Sequence, residues 1–112
     1  MTSKDCIFCK IVGGEIKSKL LAETAKVVAF NDINPVASTH IIIVPKKHIE
    51  SVATVKNADG EDLVEMFNIA TKLAKEKKLD AYRFSFNAGK YQHVPHLHMH
   101  LLAGGKIEWS KL

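Results

Sequence analysis

The segment His96–Leu102 constrains the fold of this 112-residue chain more than any other part of its sequence. Imidazole and aliphatic side chains alternate along it, and a period of two residues is that of a β-strand. A strand over Pro95–Leu102 would therefore carry histidines on one face and bury aliphatic side chains with the other. The two faces hold His96, His98 and His100, and Leu97, Met99 and Leu101. Three imidazoles on one face indicate a functional surface; the plainer alternative is a row of histidines that are merely solvated or hydrogen-bonded to neighbours.

Strand geometry limits what the three histidines can do together. Alternate residues of a strand lie about 6.7 Å apart, so the first and third histidines lie about 13 Å apart. The ligands of one zinc ion must all come within about 2 Å of it. A single three-histidine metal site is therefore disfavoured. We therefore expect the three histidines to have separate roles, each contacting a different atom of a ligand such as a phosphate with its leaving group.

The remaining pattern predicts a single α+β domain over residues 1–112. The one long helix is expected over about Glu61–Leu79, with Asp59 as its cap, because acidic residues begin it and lysines end it. Its apolar stripe at helical spacing consists of Leu63, Met66, Phe67, Ala70, Leu73 and Ala74. The other expected elements are a helical turn at Cys6–Val12 and strands at Leu20–Glu23, Val27–Asn31, Thr39–Val44, Tyr82–Asn87 and Pro95–Leu102.

Composition argues against several classes of protein. The longest apolar run, Ile41–Val44, is too short to span a membrane. The first residues lead to no cleavage site for export, which favours the cytoplasm. The net charge of +4 comes from 16 basic residues, of which only Arg83 is an arginine. Because bidentate readout of bases and phosphates prefers arginine, we expect a solvated lysine surface rather than a specific nucleic-acid interface.

The paired cysteines Cys6 and Cys9 have the spacing of two zinc ligands or of a redox pair. A redox pair is favoured when a strand precedes it, and nothing strand-like precedes Cys6. With no further cysteine in the chain, zinc would need two histidines, and His48 is the candidate outside the alternating segment. Packing of both cysteines as small apolar residues remains open.

A third candidate site begins where the strand Val27–Asn31 ends. The carboxylate of Asp32 could accept both hydroxyls of a ribose, and Phe8, Phe30 and Ile33 could wall a base pocket. An aspartate before Asn34-Pro35 is also an ordinary turn residue, so this signal is weak by itself.

Four segments in this order resemble the histidine-triad (HIT) superfamily, and within it the small Hint-like branch of purine nucleotide-binding proteins. The segments are Cys6–Ile16, Ala29–Pro35, Thr39–Ile49 and His96–Leu102. The last fits the pattern in which three histidines alternate with apolar residues and two apolar residues follow. The resemblance implies a five-stranded antiparallel sheet with one long and one short helix, and a homodimer in which two such sheets join. A homodimer is also expected because a short chain would gain by burying an apolar helix stripe and a β-branched edge strand.

The resemblance also implies roles for individual residues. His98 corresponds to the nucleophile that attacks the α-phosphorus, and His100 to a hydrogen-bond donor to phosphate, with His40 and His96 in support. The residues that match the nucleotide pocket are Phe8, Phe30, Asn31, Asp32, Ile33, Asn87 and Gln92. Relatives of this branch hydrolyse purine nucleoside phosphoramidates through a nucleotidyl-histidine. Bacterial relatives with paired cysteines hold zinc on ligands that match Cys6, Cys9, His48 and His96.

The chain departs from that pattern in the segment between Asn87 and His96, which is about two residues shorter. Within it, His93 stands where the family commonly has Ser or Thr beside the leaving group. Near the end of the chain, Trp109 belongs to a tail that in this branch reaches toward the partner's active site. Two other functions remain open: hydrolysis of dinucleoside polyphosphates, and a non-catalytic nucleotide- or zinc-binding module.

Overall fold

The computed structural model describes residues 5–109. They form one antiparallel sheet of five strands in the order β1-β2-β3-β5-β4. The strands are β1 Leu20–Glu23, β2 Val27–Asn31, β3 Thr39–Pro45, β4 Arg83–Ser85 and β5 Met99–Ala103, and the helices are α1 Ile7–Val12 and α2 Gly60–Glu76. Short 3-10 turns occur at Val52–Thr54, Asn57–Asp59 and Gly89–Tyr91. The α+β architecture expected from the sequence is confirmed.

The apolar run Ile41–Val44 is buried because both faces of β3 are covered. Ile41 and Ile43 belong to the main core, which lies between the sheet and α2. Ile42 and Val44 face the other way and pack with Phe8 of α1 and with the cysteines beside it. A continuous apolar run rather than an alternating one is what a strand covered on both faces requires.

The strand that carries the histidines is shorter than expected. The expected strand began at Pro95, whereas β5 begins at Met99, which pairs with Ile43. If this register continued two residues toward the N-terminus of β5, Leu97 would pair with Pro45. Pro45 has no backbone N–H with which to continue the ladder. The N–H of Leu97 donates instead to the carbonyl of Ile49 at 2.6 Å. The alternation nevertheless persists, because Leu97 still enters the main core while His98 does not.

Helix α2 differs from the expectation in its cap and at its C-terminal end. The carboxylate of Asp59 does not cap the helix; it accepts a hydrogen bond from the backbone N–H of Lys56 and forms an ion pair with Lys47. The helix ends at Glu76 rather than Leu79 because Lys78 adopts a positive φ of 56°. Two residues of the expected stripe are also not fully buried: Phe67 is 43% exposed and Leu63 is partly buried.

The expected strand Tyr82–Asn87 is likewise reduced to the three residues of β4, at one edge of the sheet.

Among the described residues no helix is long and apolar enough to cross a membrane.

Candidate active site

Four histidines meet on the side of the sheet that faces away from α2. His40 comes from β3 and His100 from β5, while His96 and His98 lie on the extended segment that leads into β5. All four side chains are buried, the most accessible being His98 at 7% exposed. The triad expected from the sequence is therefore assembled together with His40.

The imidazole of His98 is fixed by a backbone carbonyl. Its Nδ1 lies 2.7 Å from the carbonyl oxygen of His96, which can only accept, so Nδ1 carries the proton. The Nε2 atom therefore holds the free lone pair. Burial lowers the pKa of His98 below its ordinary value, which keeps the ring neutral at neutral pH. A neutral imidazole with one nitrogen held protonated is a competent nucleophile.

A second chain of hydrogen bonds fixes His40 and His100. The backbone N–H of Val36 donates to Nδ1 of His40 at 3.1 Å, so the neutral ring carries its proton on Nε2. That Nε2 lies 2.8 Å from Nδ1 of His100 and donates to it. The remaining nitrogen of His100, Nε2, must then be protonated and available as a donor, and the side-chain amide nitrogen of Asn87 lies 3.5 Å from it. Burial lowers the pKa of His100 to about 3, so this ring is a neutral donor at neutral pH.

Asp32, His40 and His100 also lie close enough together to share a metal ion. The hydrogen bonds argue against such a site. Because Nδ1 of His40 already accepts from Val36, a metal on Nε2 would require an imidazolate. The carboxylate of Asp32 lies 3.4 Å from that same Nε2, where it can share the proton. This grouping is best described as a hydrogen-bonded network.

The paired cysteines come together with two histidines, as the zinc interpretation requires. Nδ1 of His96 lies 3.2 Å from Sγ of Cys6 and 3.5 Å from Sγ of Cys9. Nδ1 of His48 lies 3.2 Å from Sγ of Cys9 and 3.1 Å from Nδ1 of His96. We refer to Cys6, Cys9, His48 and His96 as the Cys–His cluster.

The donor set of the Cys–His cluster fits a tetrahedral metal. Bonds of about 2.0 Å to nitrogen and 2.3 Å to sulfur place neighbouring ligand atoms about 3.3 to 3.6 Å apart, close to the observed separations. The Nε2 of His96 donates to the carbonyl of Pro45 at 2.8 Å, which leaves Nδ1 unprotonated toward the cluster. Burial raises the pKa of the Cys6 thiol, and a bound cation would oppose that effect. Both cysteines are free of disulfides.

The expected nucleoside pocket is partly assembled. The ring of Phe8 packs edge-on against Phe30 at 5.7 Å and against His98 at 5.0 Å. Ile33 is 91% exposed and Asn31 is exposed, so neither side chain packs into this aromatic group. The Oδ1 atom of Asp32 accepts a hydrogen bond from the N–H of Asn34 at 2.8 Å. This is the ordinary turn arrangement, which the sequence left open as the alternative to ribose binding.

The loop before the triad places Gln92 and His93 differently from each other. The side-chain amide of Gln92 donates to the carbonyl of Glu50 at 2.8 Å and so ties the loop to the segment after β3. His93 is exposed; burial is the main cause of the lowered pKa of His98 and of His100, and a positive charge on His93 would lower both further.

Backbone groups that fix the histidines were missed by the sequence analysis. The carbonyl of Pro45 and the N–H of Val36 each set the tautomer of one histidine. Every residue but proline has both groups, so no side-chain pattern could have marked them. The placement of the segment before β5 beside the end of β3 brings the carbonyl of Pro45 to His96, whereas Val36 reaches His40 locally, in the turn that leads into β3.

Comparison with known proteins identifies the family. Residues 5–111 match the sequence family described as "Scavenger mRNA decapping enzyme C-term binding". An uncharacterized HIT-like protein of Buchnera aphidicola is 39% identical over 105 residues, which cover 90% of this chain and 94% of that protein. The chain belongs to the HIT superfamily. A histidine triad protein from Clostridium difficile has the same fold as this HIT protein, with a TM-score of 0.89, 44% identity and 96% of each chain covered.

An enzyme is also among the relatives of this HIT protein. The adenosine 5'-monophosphoramidase HNT1 of Saccharomyces cerevisiae is 44% identical over 99 residues, which cover 87% of this chain and 61% of the yeast enzyme. A histidine triad nucleotide-binding protein from Candida albicans is 38% identical with a TM-score of 0.79, covering 87% of this chain and 73% of that one. This HIT protein is therefore an enzyme, of the hydrolase class that these relatives represent.

Proposed function

We propose that this chain hydrolyses purine nucleoside 5'-phosphoramidates through a nucleotidyl group carried by His98. The observation that carries the proposal is the hydrogen bond from Nδ1 of His98 to the carbonyl of His96 at 2.7 Å. It leaves Nε2 as a neutral nucleophile in a buried site. The yeast relative named as an adenosine 5'-monophosphoramidase supports the choice of substrate.

The reaction proceeds in two steps. In the first, Nε2 of His98 attacks the α-phosphorus, an N–P bond forms, and the bond from phosphorus to the leaving amine breaks. The amine takes up a proton as it leaves. His93 and His100 are the two candidate donors, and His93 is favoured because the neutral His100 could give up its Nε2 proton only by becoming an imidazolate. In the second step, water attacks phosphorus, the N–P bond breaks, and the water's proton returns to the group that protonated the amine. The nucleoside monophosphate is released and His98 is again neutral with its lone pair on Nε2. Phosphoryl chemistry of this kind depends mainly on positioning and on neutralising the phosphate oxygens.

The other site residues bind rather than react. The Nε2–H of His100 donates to a phosphate oxygen, and the amide of Asn87 lies beside it. Asp32 binds the ribose hydroxyls with the part of its carboxylate that remains accessible. Phe8 and Phe30 hold the base, with Ile33 and Asn31 at an open rim and Gln92 fixing the loop on the phosphate side.

We also propose that the Cys–His cluster holds one structural zinc ion. Four protein ligands would leave no position for a reactive water, so the ion itself would take no part in the chemical steps of the hydrolysis. Two cysteines outside any disulfide suit a reducing compartment, and we propose a cytoplasmic location. Metal analysis of untagged protein purified without chelator should find about one equivalent of zinc per chain. Metal-free protein with two titratable thiols would favour packing of the cysteines alone.

The active form that we propose is a homodimer joined along β4. The β-branched strand β3 lies at the centre of the sheet, so the edge available to a partner is that of β4. The edge strand β4 is flanked by an aromatic surface made of Phe67, Tyr82, Phe84 and Phe86. Phe67 and Tyr82 are more than two-fifths exposed, which a partner subunit would cover. Trp109, which packs against Arg83 of β4 at 5.8 Å, lies at the same edge.

One comparison of substrates tests the proposed activity. A metal-analysed sample should turn over an adenosine phosphoramidate faster than a diadenosine polyphosphate. Faster cleavage of the polyphosphate would favour the dinucleoside polyphosphate hydrolase instead. Nucleotide binding without turnover of either compound would favour the non-catalytic alternative.

A further inference from the structure

His96 belongs to two sites at once. Its ring lies in the Cys–His cluster, where Nδ1 is 3.2 Å from Sγ of Cys6 and 3.1 Å from Nδ1 of His48. Its backbone carbonyl accepts the Nδ1–H of His98 at 2.7 Å. The metal-binding group and the nucleophile are therefore separated by a single residue.

The ring of His96 has no nitrogen left for a substrate. Its Nε2 donates to the carbonyl of Pro45 at 2.8 Å, its Nδ1 points into the cluster, and the residue is fully buried. Any effect of His96 on the reaction must pass through its backbone. Two groups hold the backbone around that carbonyl, which lies before the regular ladder of β5 begins at Met99. The N–H of Leu97, in the same peptide unit as the carbonyl, donates to Ile49 at 2.6 Å, and the ring of His96 holds the Cα on the other side of it.

Phe8 makes a second connection between the same two sites. It lies between Cys6 and Cys9 on the one short helix α1, and its ring packs edge-on against His96 at 5.9 Å and against His98 at 5.0 Å. The two thiols and the aromatic ring that packs against the nucleophile thus move together. Release of the thiols from a shared ion would loosen both contacts to His98.

We propose that the Cys–His cluster, when it holds its metal, positions the nucleophile, with His96 as the positioning residue. The metal-held ring of His96 fixes its carbonyl, and the carbonyl fixes the Nδ1–H tautomer and the ring orientation of His98. This proposal rests on the proposed function, in which His98 is the nucleophile and zinc occupies the cluster. It differs from a purely structural role, in which metal loss lowers the thermal stability and leaves His98 unchanged in the molecules that stay folded.

The test compares the tautomer of His98 in zinc-loaded and chelated protein. The imidazole nitrogens are observed by long-range ¹H–¹⁵N NMR, with assignment by the His98→Ala variant, while a chromogenic chelator measures released zinc. The loaded protein should show one Nδ1–H tautomer for His98. The chelated protein, at a temperature where circular dichroism shows it folded, should show a mixture of tautomers. Its kcat should be lower by about ten- to a hundredfold with little change in KM, the usual effect of losing a group that orients a ligand.

Two variants keep the test decisive if the chelated protein unfolds. His48→Gln weakens the cluster from the side that does not contact His98 and should reproduce the tautomer mixture and the lower kcat. Asp59→Asn is the matched control, since it weakens the ion pair with Lys47 at the start of α2 and removes none of the four ligands. It should lower the melting temperature without changing the tautomer.

Two outcomes would overturn the proposal. One is a His98 that keeps a single Nδ1–H tautomer and an unchanged kcat after zinc has been released from folded protein. The other is an Asp59→Asn variant that disturbs His98 as much as His48→Gln does. If no form of the protein cleaves a phosphoramidate, the proposed function fails, but the tautomer measurement needs no substrate and still decides whether the cluster positions His98.

Discussion

At the scale of single residues, the tautomers of the histidines separate their roles. His98 carries its proton on Nδ1, toward a carbonyl, and exposes a lone pair on Nε2. His100 accepts at Nδ1 and is left with a donor at Nε2. The two rings lie 4.9 Å apart, so a nucleophile and a donor face one small region. That pairing is what displacement at phosphorus requires.

The roles of the two rings predict different losses on substitution. His98→Ala should abolish release of the leaving group, by several orders of magnitude, because it removes the attacking atom. His100→Ala should cost about a hundred- to a thousandfold in kcat, as the loss of one donor to a developing charge does. Nucleotide affinity should change little in His98→Ala, whereas Asp32→Ala should act mainly on binding.

Rapid quenching of the wild-type reaction should trap an acid-labile, base-stable nucleotide on His98. Near-normal turnover by a folded His98→Ala variant would show that the triad only binds phosphate.

Buried neutral histidines also predict how stability depends on pH. In the folded protein, burial, together with the nearby charges of His98 and His40, lowers the pKa of His100 to about 3. In the unfolded chain His100 takes up a proton near pH 6.5, so between these values the unfolded state binds more protons. The free energy of unfolding should therefore fall as the pH decreases from 6.5 toward 3, by at most about 1.4 kcal/mol per pH unit for this group.

Urea unfolding of the wild type and of His100→Gln, between pH 4.5 and 7, isolates that contribution. Glutamine cannot take up the proton, so the free energy of unfolding of the variant should depend less steeply on pH. Parallel curves for the two proteins would mean that His100 does not resist protonation in the folded state.

At the scale of elements, the positions of the helices and strands could be predicted from the sequence, but their ends could not. β1 and β2 have the expected bounds because turn residues delimit short apolar runs on both sides. The start of β5 at Met99 depends on Pro45, which lies in another strand more than fifty residues earlier in the chain. No local pattern reveals such a dependence. The spacing of the cysteines suggested Cys6, Cys9 and His48 as ligands, and the family resemblance completed the Cys–His cluster with His96. Their convergence depends on the placement of the segment before β5 beside the end of β3.

The C-terminal end of α2 is another boundary set by conformation. Lys78 has a φ of 56°, and the N–H groups of Lys78 and Leu79 donate to the carbonyls of Lys75 and Ala74. This is the hydrogen-bond pattern in which glycine is the usual residue, because a side chain in the left-handed region costs about 1 kcal/mol.

Lys78→Gly should therefore stabilise the protein by about 0.5 to 1 kcal/mol, a gain reduced by the greater freedom of glycine in the unfolded chain. Urea unfolding measures the difference. Lys78→Ala is the control, since it removes the charged side chain and keeps the strain, and it should leave the stability nearly unchanged. Equal stabilisation by both variants would instead indicate a charge effect.

At the scale of the whole molecule, the two faces of the sheet have different functions. The face under α2 is the apolar core, and the opposite face carries the triad, the aromatic ring of Phe8 and the Cys–His cluster. The sequence predicts this division because the alternation around His98 assigns one set of side chains to each face. It does not predict which edge of the sheet stays open, because that depends on the complete strand order. In this fold the aromatic surface lies beside β4, at the opposite end of the strand order from β1.

The open edge leads to a prediction about assembly. If a second subunit covers the aromatic surface, light scattering should give about twice the 12.4 kDa of one chain. Phe67→Glu should shift the protein toward the monomer, because it places a charge on the 43% exposed ring that a partner would bury. Val64→Glu is the matched control: it adds the same charge to α2 at a 60% exposed position that lines a separate groove with Ala25 and Lys26, and it should remain dimeric. A wild-type protein that is monomeric and fully active in dilute solution would contradict the homodimer, and so would equal dissociation of both variants.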